Sequence, residues 1–282
     1  MTTDLSSHLD SCYSALGFST APFQITPDTG FLVPQRQYLE AIGHLRYGMA
    51  TGSFTLLTGD VGLGKTLLCR YLMQQLPRNV RTAYVFNPQQ SYTELLASII
   101  YDLTGNLVRG KTSAARLHDR LFNELAQLAG RGIRVALLID EAHRLPAELL
   151  EGLRMLSNLE TGQRKLISLL LVGQNELEQT LQAPEMRALR QRISVWHRLR
   201  PFTQRESREY IEHRLRIAST EQPMAITAHA SWVAHRKSNG VPRRLNQICD
   251  RALMAAYMSD SHTLNARLMR RAAREVTALD RL

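Results

Sequence analysis

Gly59-Asp60-Val61-Gly62-Leu63-Gly64-Lys65-Thr66 is the stretch whose reading decides the fold. It fits G-x-x-x-x-G-K-[ST], the P-loop or Walker A pattern. Ahead of it, Phe54-Thr55-Leu56-Leu57-Thr58 is a short β-type run. Behind it, Leu67 to Leu76 has helical apolar spacing, and Pro77 stops the helix. Strand, glycine loop and helix together form a phosphate cradle. The glycines let successive backbone N–H groups turn inward, and the helix N-terminus adds partial positive charge. Backbone from Gly59 through Asp60, Val61, Gly62, Leu63, Gly64, Lys65 and Thr66 to Leu67 would wrap the phosphates. Lys65 would reach the β- and γ-phosphates, and the Thr66 hydroxyl would ligate Mg²⁺. The expected ligand is a nucleoside triphosphate.

Outward from the loop, the chain alternates helices and strands. Tyr38 to Met49 reads as a helix and Thr82 to Phe86 as a strand. Ser91-Tyr-Thr-Glu94 is a capping box for a helix to Leu103, ended by Gly105. A helix over about Ser113 to Leu128 follows. The apolar runs Ile133 to Ile139 and Leu166 to Val172, with a helix from Pro146 to Leu159 between them, fit parallel strands buried on both faces. Ser194 to Leu199 closes the sheet at its far edge. Past Pro201-Phe202 no strand is expected. Thr203-Gln-Arg-Glu206 opens a helix to Ala218, Thr227 caps one ending at Asn239-Gly240, Pro242 starts a third, and Asn265 to Leu279 forms the last. The expected architecture is α/β. A P-loop NTPase three-layer parallel sheet domain with an N-terminal extension (1–200) precedes a small all-helical lid domain (201–282).

The run Val135-Ala-Leu-Leu-Ile-Asp140-Glu141 reads as a Walker B strand beside the P-loop. Asp140 would hold Mg²⁺ through its water shell, and Glu141 would orient and polarise the attacking water. Asp140-Glu-Ala-His143 also spells the helicase DEAH box, but such helicases pair two sheet domains and this length suits one. His143 therefore reads as a packed or solvated loop histidine. Gln174 follows the neighbouring strand, where a polar side chain reaches the γ-phosphate or the water, with Asn175 as the substitute. Arg187, Arg190 and Arg192 precede the last strand. An arginine there can enter a neighbouring subunit's site as an arginine finger, with Arg192 favoured and Arg190 second. Arg243, after Gly240-Val-Pro242, stands where a cation opposes a helix dipole, so an anionic partner is expected there.

Composition bounds the setting. The chain has 282 residues, 44% of them hydrophobic and 21% charged, as in an ordinary globular protein. No apolar run approaches the roughly 18 residues of a membrane span, so no transmembrane segment is expected. No signal peptide is visible, and three scattered cysteines form neither metal motif nor disulfide framework, which points to the cytoplasm. The net charge is +10 and is unevenly held. Residues 187–282 carry 19 Lys and Arg against 8 Asp and Glu, while residues 1–186 carry 16 against 17. The last third therefore faces something anionic: DNA, an anionic membrane surface or an acidic partner. Its final helix sets Arg267, Arg270, Arg271 and Arg274 on one face, with Leu264, Leu268, Ala272, Val276 and Leu279 on the other.

The ordered set of Walker A, Asp140-Glu141, a polar sensor, an arginine cluster and an arginine-bearing helical module resembles an AAA+ ATPase. More narrowly it resembles the ExeA/GspA type, through several further stretches. These include Pro22-Phe23-Gln-Ile-Thr-Pro27-Asp28 with Phe31-Leu32, Glu40-Ala41, Tyr47-Gly48, Leu171-Val-Gly-Gln174, Leu189-Arg-Gln-Arg192, Tyr210-Ile-Glu-His-Arg-Leu215 and Gly240-Val-Pro-Arg243 before Asn246. The short, MSHA-pilus branch of that family is the nearest match. The resemblance implies Mg²⁺-dependent hydrolysis of ATP, a homo-oligomer (ring or helical) with intersubunit sites, and pilus or secretion apparatus components as partners. It also implies a place in the cytoplasm, peripheral to the inner membrane. Transposition regulators of the TnsC/TniB type share the core and bind DNA under ATP control. The basic last third suits them, so they are the alternative.

Overall fold

The computed structural model describes residues 11–279 apart from Pro27, Asn87, Gln89, Gln90, Arg109, Lys111, Gln163, Glu221 and Gln222, and apart from the side chain of Leu279. Pro27 of the quoted N-terminal stretch, the Leu279 contribution to the last helix and the first ten residues thus lie outside the described residues. The chain divides into two compact units.

The first unit, residues 36–61 and 65–199, is built on five strands: β1 (Phe54–Thr58), β2 (Val80–Val85), β3 (Arg134–Ile139), β4 (Ser168–Val172) and β5 (Ile193–Arg198). All pair in parallel, in the order β2-β3-β4-β1-β5. The sequence puts the end of the Walker B strand beside the P-loop, as the Thr66–Asp140 contact bears out. In the structure β4 lies between β3 and β1, because sheet order is set by crossover packing and not by chain order.

Side chains alternate across the sheet, as strand geometry requires. Phe54, Leu56, Val135, Leu137, Ile139, Leu169 and Leu171 share one core with helices Tyr92–Thr104, Ala114–Gly130 and Ala147–Leu156. Thr55 points the other way, toward helix α1 (Arg36–Thr51), so close to Gly48 that a Cβ there would lie 1.9 Å from its hydroxyl oxygen. Helices therefore cover both faces, and the unit has three layers. Full burial of β1 and β4 explains why those runs lack polar alternation.

Local signals are obeyed closely. Ser91 and Glu94 form the expected capping box, and Gly105 ends that helix in the left-handed conformation. Helix Asn175–Gln182 and the two-residue hairpin Glu160–Thr161 with Arg164–Lys165 lie outside the sequence expectation, since neither carries a side-chain cap or an extended period.

The second unit holds residues 200–279, the loop tip Gly62–Gly64 and residues 11–35. Four helices form its body: Gln204–Ala218, Ala228–Ser238, Pro242–Met258 and Ala266–Leu279. Thr203 and Glu206 make a full capping box, Thr227 caps the second helix and Pro242 opens the third. Two corrections apply here. Ala225–Ile226 and Thr263–Leu264 pair as a minimal parallel ladder past Pro201. The N-terminal stretch, expected with the sheet domain, packs instead on these helices. Arg214, almost fully buried, donates to the Pro22 carbonyl at 2.6 Å and to the Tyr210 hydroxyl at 2.8 Å, with its guanidinium 4.8 Å from the Phe31 ring centre. Tyr13 donates to Asp250 at 2.5 Å, and Asn246 donates to the Gln24 carbonyl at 3.2 Å. Burying Phe18, Phe23 and Phe31 in this unit supplies the driving force.

Candidate nucleotide and metal site

The P-loop runs from the C-terminal end of β1 into helix Lys65–Gln74. Gly59, Gly62 and Gly64 have φ of 149°, 82° and 90°, angles that L side chains rarely adopt. At Gly62 space is also closed, since a Cβ would sit 2.8 Å from that of Arg243, whose own N–H donates to the Gly62 carbonyl at 3.2 Å.

Lys65 is buried, and its Nζ donates to the Gly59 carbonyl at 2.7 Å and the Asp60 carbonyl at 2.9 Å. Burial holds its pKa below the usual lysine value, opposed by Glu141, Asp140, Asp60 and Glu176. A buried ammonium whose direct partners are two neutral carbonyls, beneath a helix N-terminus, is chemically suited to a phosphate.

Asp140 is fully buried at the end of β3 and accepts from three donors. Thr66 Oγ1 lies 2.7 Å from Oδ2, the Tyr84 hydroxyl lies 3.0 Å from the same oxygen, and the Glu141 N–H lies 2.9 Å from Oδ1. Thr66, on the helix that follows β1, thus meets Asp140, at the end of β3, although β4 separates the two strands. A hydroxyl and a carboxylate in contact make a hard-oxygen pair of the sort Mg²⁺ uses while keeping most of its waters. The residues present fit that ion.

Sequence does not single out Tyr84, because a tyrosine inside an apolar strand carries no motif. Its own N–H donates to Asp102 at 2.9 Å, which occupies a free hydrogen-bonding position of the edge strand β2. Burial, then the Asp140 charge, push its pKa up. It therefore stays a neutral donor to Asp140.

Glu141 has φ 53° and ψ 32°, a left-handed conformation for a side-chain-bearing residue, costing about 1–3 kcal/mol. Its carboxylate lies 3.6 Å from His143 Nε2 and 3.9 Å from Arg144 Nε. His143 is mostly buried and tied to Glu141, as befits a packed loop residue.

Gln174 stands at the end of β4 as the N-cap residue of helix Asn175–Gln182, half-buried, with its side chain making no cap. Asn175 is the residue brought onto the P-loop, its amide donating to the Asp60 carboxylate.

Among the arginines, Arg190 is anchored by donating to the carbonyls of Leu181 and Gln182 at 2.9 and 3.1 Å, closing the end of that helix. Arg187 and Arg192 are exposed. Ile193 is in register with Phe54, at the start of β1. Arg192 therefore lies about 16 Å, five strand residues, from the loop of its own chain. It is remote from the cradle of its own chain.

Residues 49–181 match the family described as AAA domain. The chain is similar to General secretion pathway protein A of Aeromonas hydrophila, with 41% identity over 251 residues, which cover 88% of this chain and 45% of the relative. It thus spans less than half of that relative's length. By structure it is similar to Cdc6p of Pyrobaculum aerophilum (TM-score 0.68, 19% identity, 95% of this chain and 71% of the other). It is also similar to the RuvB Holliday junction branch migration motor of Thermotoga maritima (TM-score 0.58, 20% identity, 86% and 69%). At such identities the structures speak for the fold alone. Among the described residues no helix is long and apolar enough to cross a membrane. With the P-loop, the buried Asp140 and the crossover order of the sheet in place, residues 49–181 are an AAA domain, and over most of its length the chain is similar to the ExeA/GspA type of AAA+ ATPase.

Proposed function

We propose that the protein hydrolyses ATP with Mg²⁺ at a site shared between subunits of a homo-oligomer, and that this hydrolysis drives assembly of a type IV (MSHA-like) pilus or a type II secretion apparatus. The observation that carries the catalytic half is the contact of Thr66 with Asp140, 2.7 Å apart beside the buried Lys65. The identity with a general secretion pathway protein supports the second half.

Each residue has a role in this reading. The backbone of Gly59–Leu67 and Lys65 cradle the phosphates, and Arg243, bonded to the Gly62 carbonyl, adds a cation. Thr66 and Asp140 would hold Mg²⁺, which when bound would supply charge withdrawal from the phosphate oxygens. Glu141 orients a water and takes its proton, with Gln174 reporting the γ-phosphate and Asn175 fixing the loop through Asp60. Arg192 reaches the neighbour's γ-phosphate, since its own cradle is out of range. The sheet unit carries the catalytic residues, and the N-terminal segment serves the helical lid on which it packs. The protein works in the cytoplasm beside the inner membrane.

The test is hydrolysis by the purified full chain at several protein concentrations with Mg²⁺. Turnover that rises with concentration and is lost in Glu141→Gln is expected. Turnover untouched by that change would remove the reading.

A further inference from the structure

We infer that one face of the helical unit, made by helices Ala228–Ser238 and Ala266–Leu279, binds the phosphate backbone of a double-stranded nucleic acid. This does not rest on the nucleotide site. The two helices contain a single carboxylate, Glu275, and Arg271 meets it at 3.4 Å. Arg236, Arg267, Arg270 and Arg274 are exposed and meet no carboxylate among the described residues. Arg270 instead donates to His229 at 2.8 Å, which stitches the two helices into one surface.

Four guanidinium groups without a carboxylate partner among the described residues repel each other on one face, a repulsion that an anionic ligand would relieve. Guanidinium also matches phosphate with paired donors in a way an ammonium does not. Arg267 to Arg274 spans seven residues, about 10.5 Å of helix, the axial length of about three phosphates of one strand.

Trp232 decides between backbone and base contact. It is 38% exposed on the same stripe as His229 and Arg236. The Arg236 guanidinium lies 5.5 Å from its ring centre, and His229 packs edge-on at 5.5 Å. The indole is thus occupied in holding the cations and is not a free platform for an unpaired base, which favours a duplex. It also makes this face poor in protruding apolar groups, unlike one that inserts into lipid.

The test is fluorescence anisotropy of a labelled DNA duplex of about 30 bp and arbitrary sequence, titrated with the full chain across a NaCl series. Four phosphate contacts give a slope of log K against log salt of about −3 to −4. Arg270→Ala with Arg274→Ala should reduce that slope by about 2 and weaken binding at least about tenfold at low salt. Thermal stability and ATP turnover should stay unchanged. No binding at low salt, or a slope that the double variant leaves intact, would overturn the proposal. So would loss of binding to phosphatidylglycerol vesicles in that variant without any duplex binding.

Discussion

The two charged regions of this protein are built in opposite ways. At the P-loop, Lys65 and Asp140 are buried, and they meet two and three fixed partners within 3.0 Å respectively. On the helical unit, Arg236, Arg267, Arg270 and Arg274 stand in solvent and owe nothing to one another. Burial multiplies the worth of a charge and the cost of misplacing it, while exposure makes charges additive and screened. One substitution should therefore disable the first region, whereas the second should weaken stepwise.

The largest effect that sharpens this contrast is expected from Asp140→Asn. The amide turns its NH₂ toward donors that now lack an acceptor, so Mg²⁺-dependent turnover should fall by on the order of 10²-fold or more. A loss of only a few fold would show that the buried site tolerates mispairing and is not so different from the exposed face.

Tyr84→Phe should be next. Removing one of three donors to Asp140 is worth about 1 kcal/mol, so the Mg²⁺ concentration for half-maximal turnover should shift several-fold. Because the phenol acts through its hydrogen bond to Asp140, kcat at saturating Mg²⁺ should change little. A fall in kcat with no shift in Mg²⁺ dependence would reject the role of a positioning residue.

Glu141→Gly probes the strain that function keeps at this site. Relief of the left-handed backbone should stabilise the fold by about 1 kcal/mol, raising Tm by about 2–4 °C while turnover disappears. An unchanged or lower Tm would mean that the side-chain contacts of Glu141 outweigh its backbone cost.

The smallest effect belongs to Glu206, an exposed-side counterpart in the helical unit. Two hydrogen bonds from Arg200, at 2.7 and 2.8 Å, followed by the Thr203 donors, hold its pKa down to about 2 against an ordinary 4.5, although partial burial opposes them. Its folded pKa is depressed, so its stabilisation is complete above about pH 4.5 and fades as pH falls toward 2. The stability difference between the wild type and Glu206→Gln should shrink over that window, as read by denaturation at several pH values. A difference independent of pH would assign the loss to packing.

Legibility follows range along the chain. The P-loop, both capping boxes, Gly105 and Pro242 are readable because each acts within a few residues. The arginine stripe on the last helix is readable for the same reason, as spacing alone places 267, 270, 271 and 274 together. What escapes is long-range. No local pattern announces that β4 separates β3 from β1, or that Arg214 reaches back to Pro22. Tyr84 escapes because its value lies in a hydroxyl that meets a residue 56 positions away. His229, Trp232 and Arg236 escape because only the neighbouring helix makes them one surface with Arg270.

The proposal that the site is shared between subunits can be tested most directly by mixing two inactive variants. Glu141→Gln keeps Arg192, and Arg192→Ala keeps Glu141, so an equal mixture rebuilds intact interfaces in about one case in four. Recovery to about a quarter of wild-type turnover is expected when the variants are assembled together with ATP and Mg²⁺. A mixture as inactive as its components, with oligomers still forming, would contradict an arginine acting across the interface.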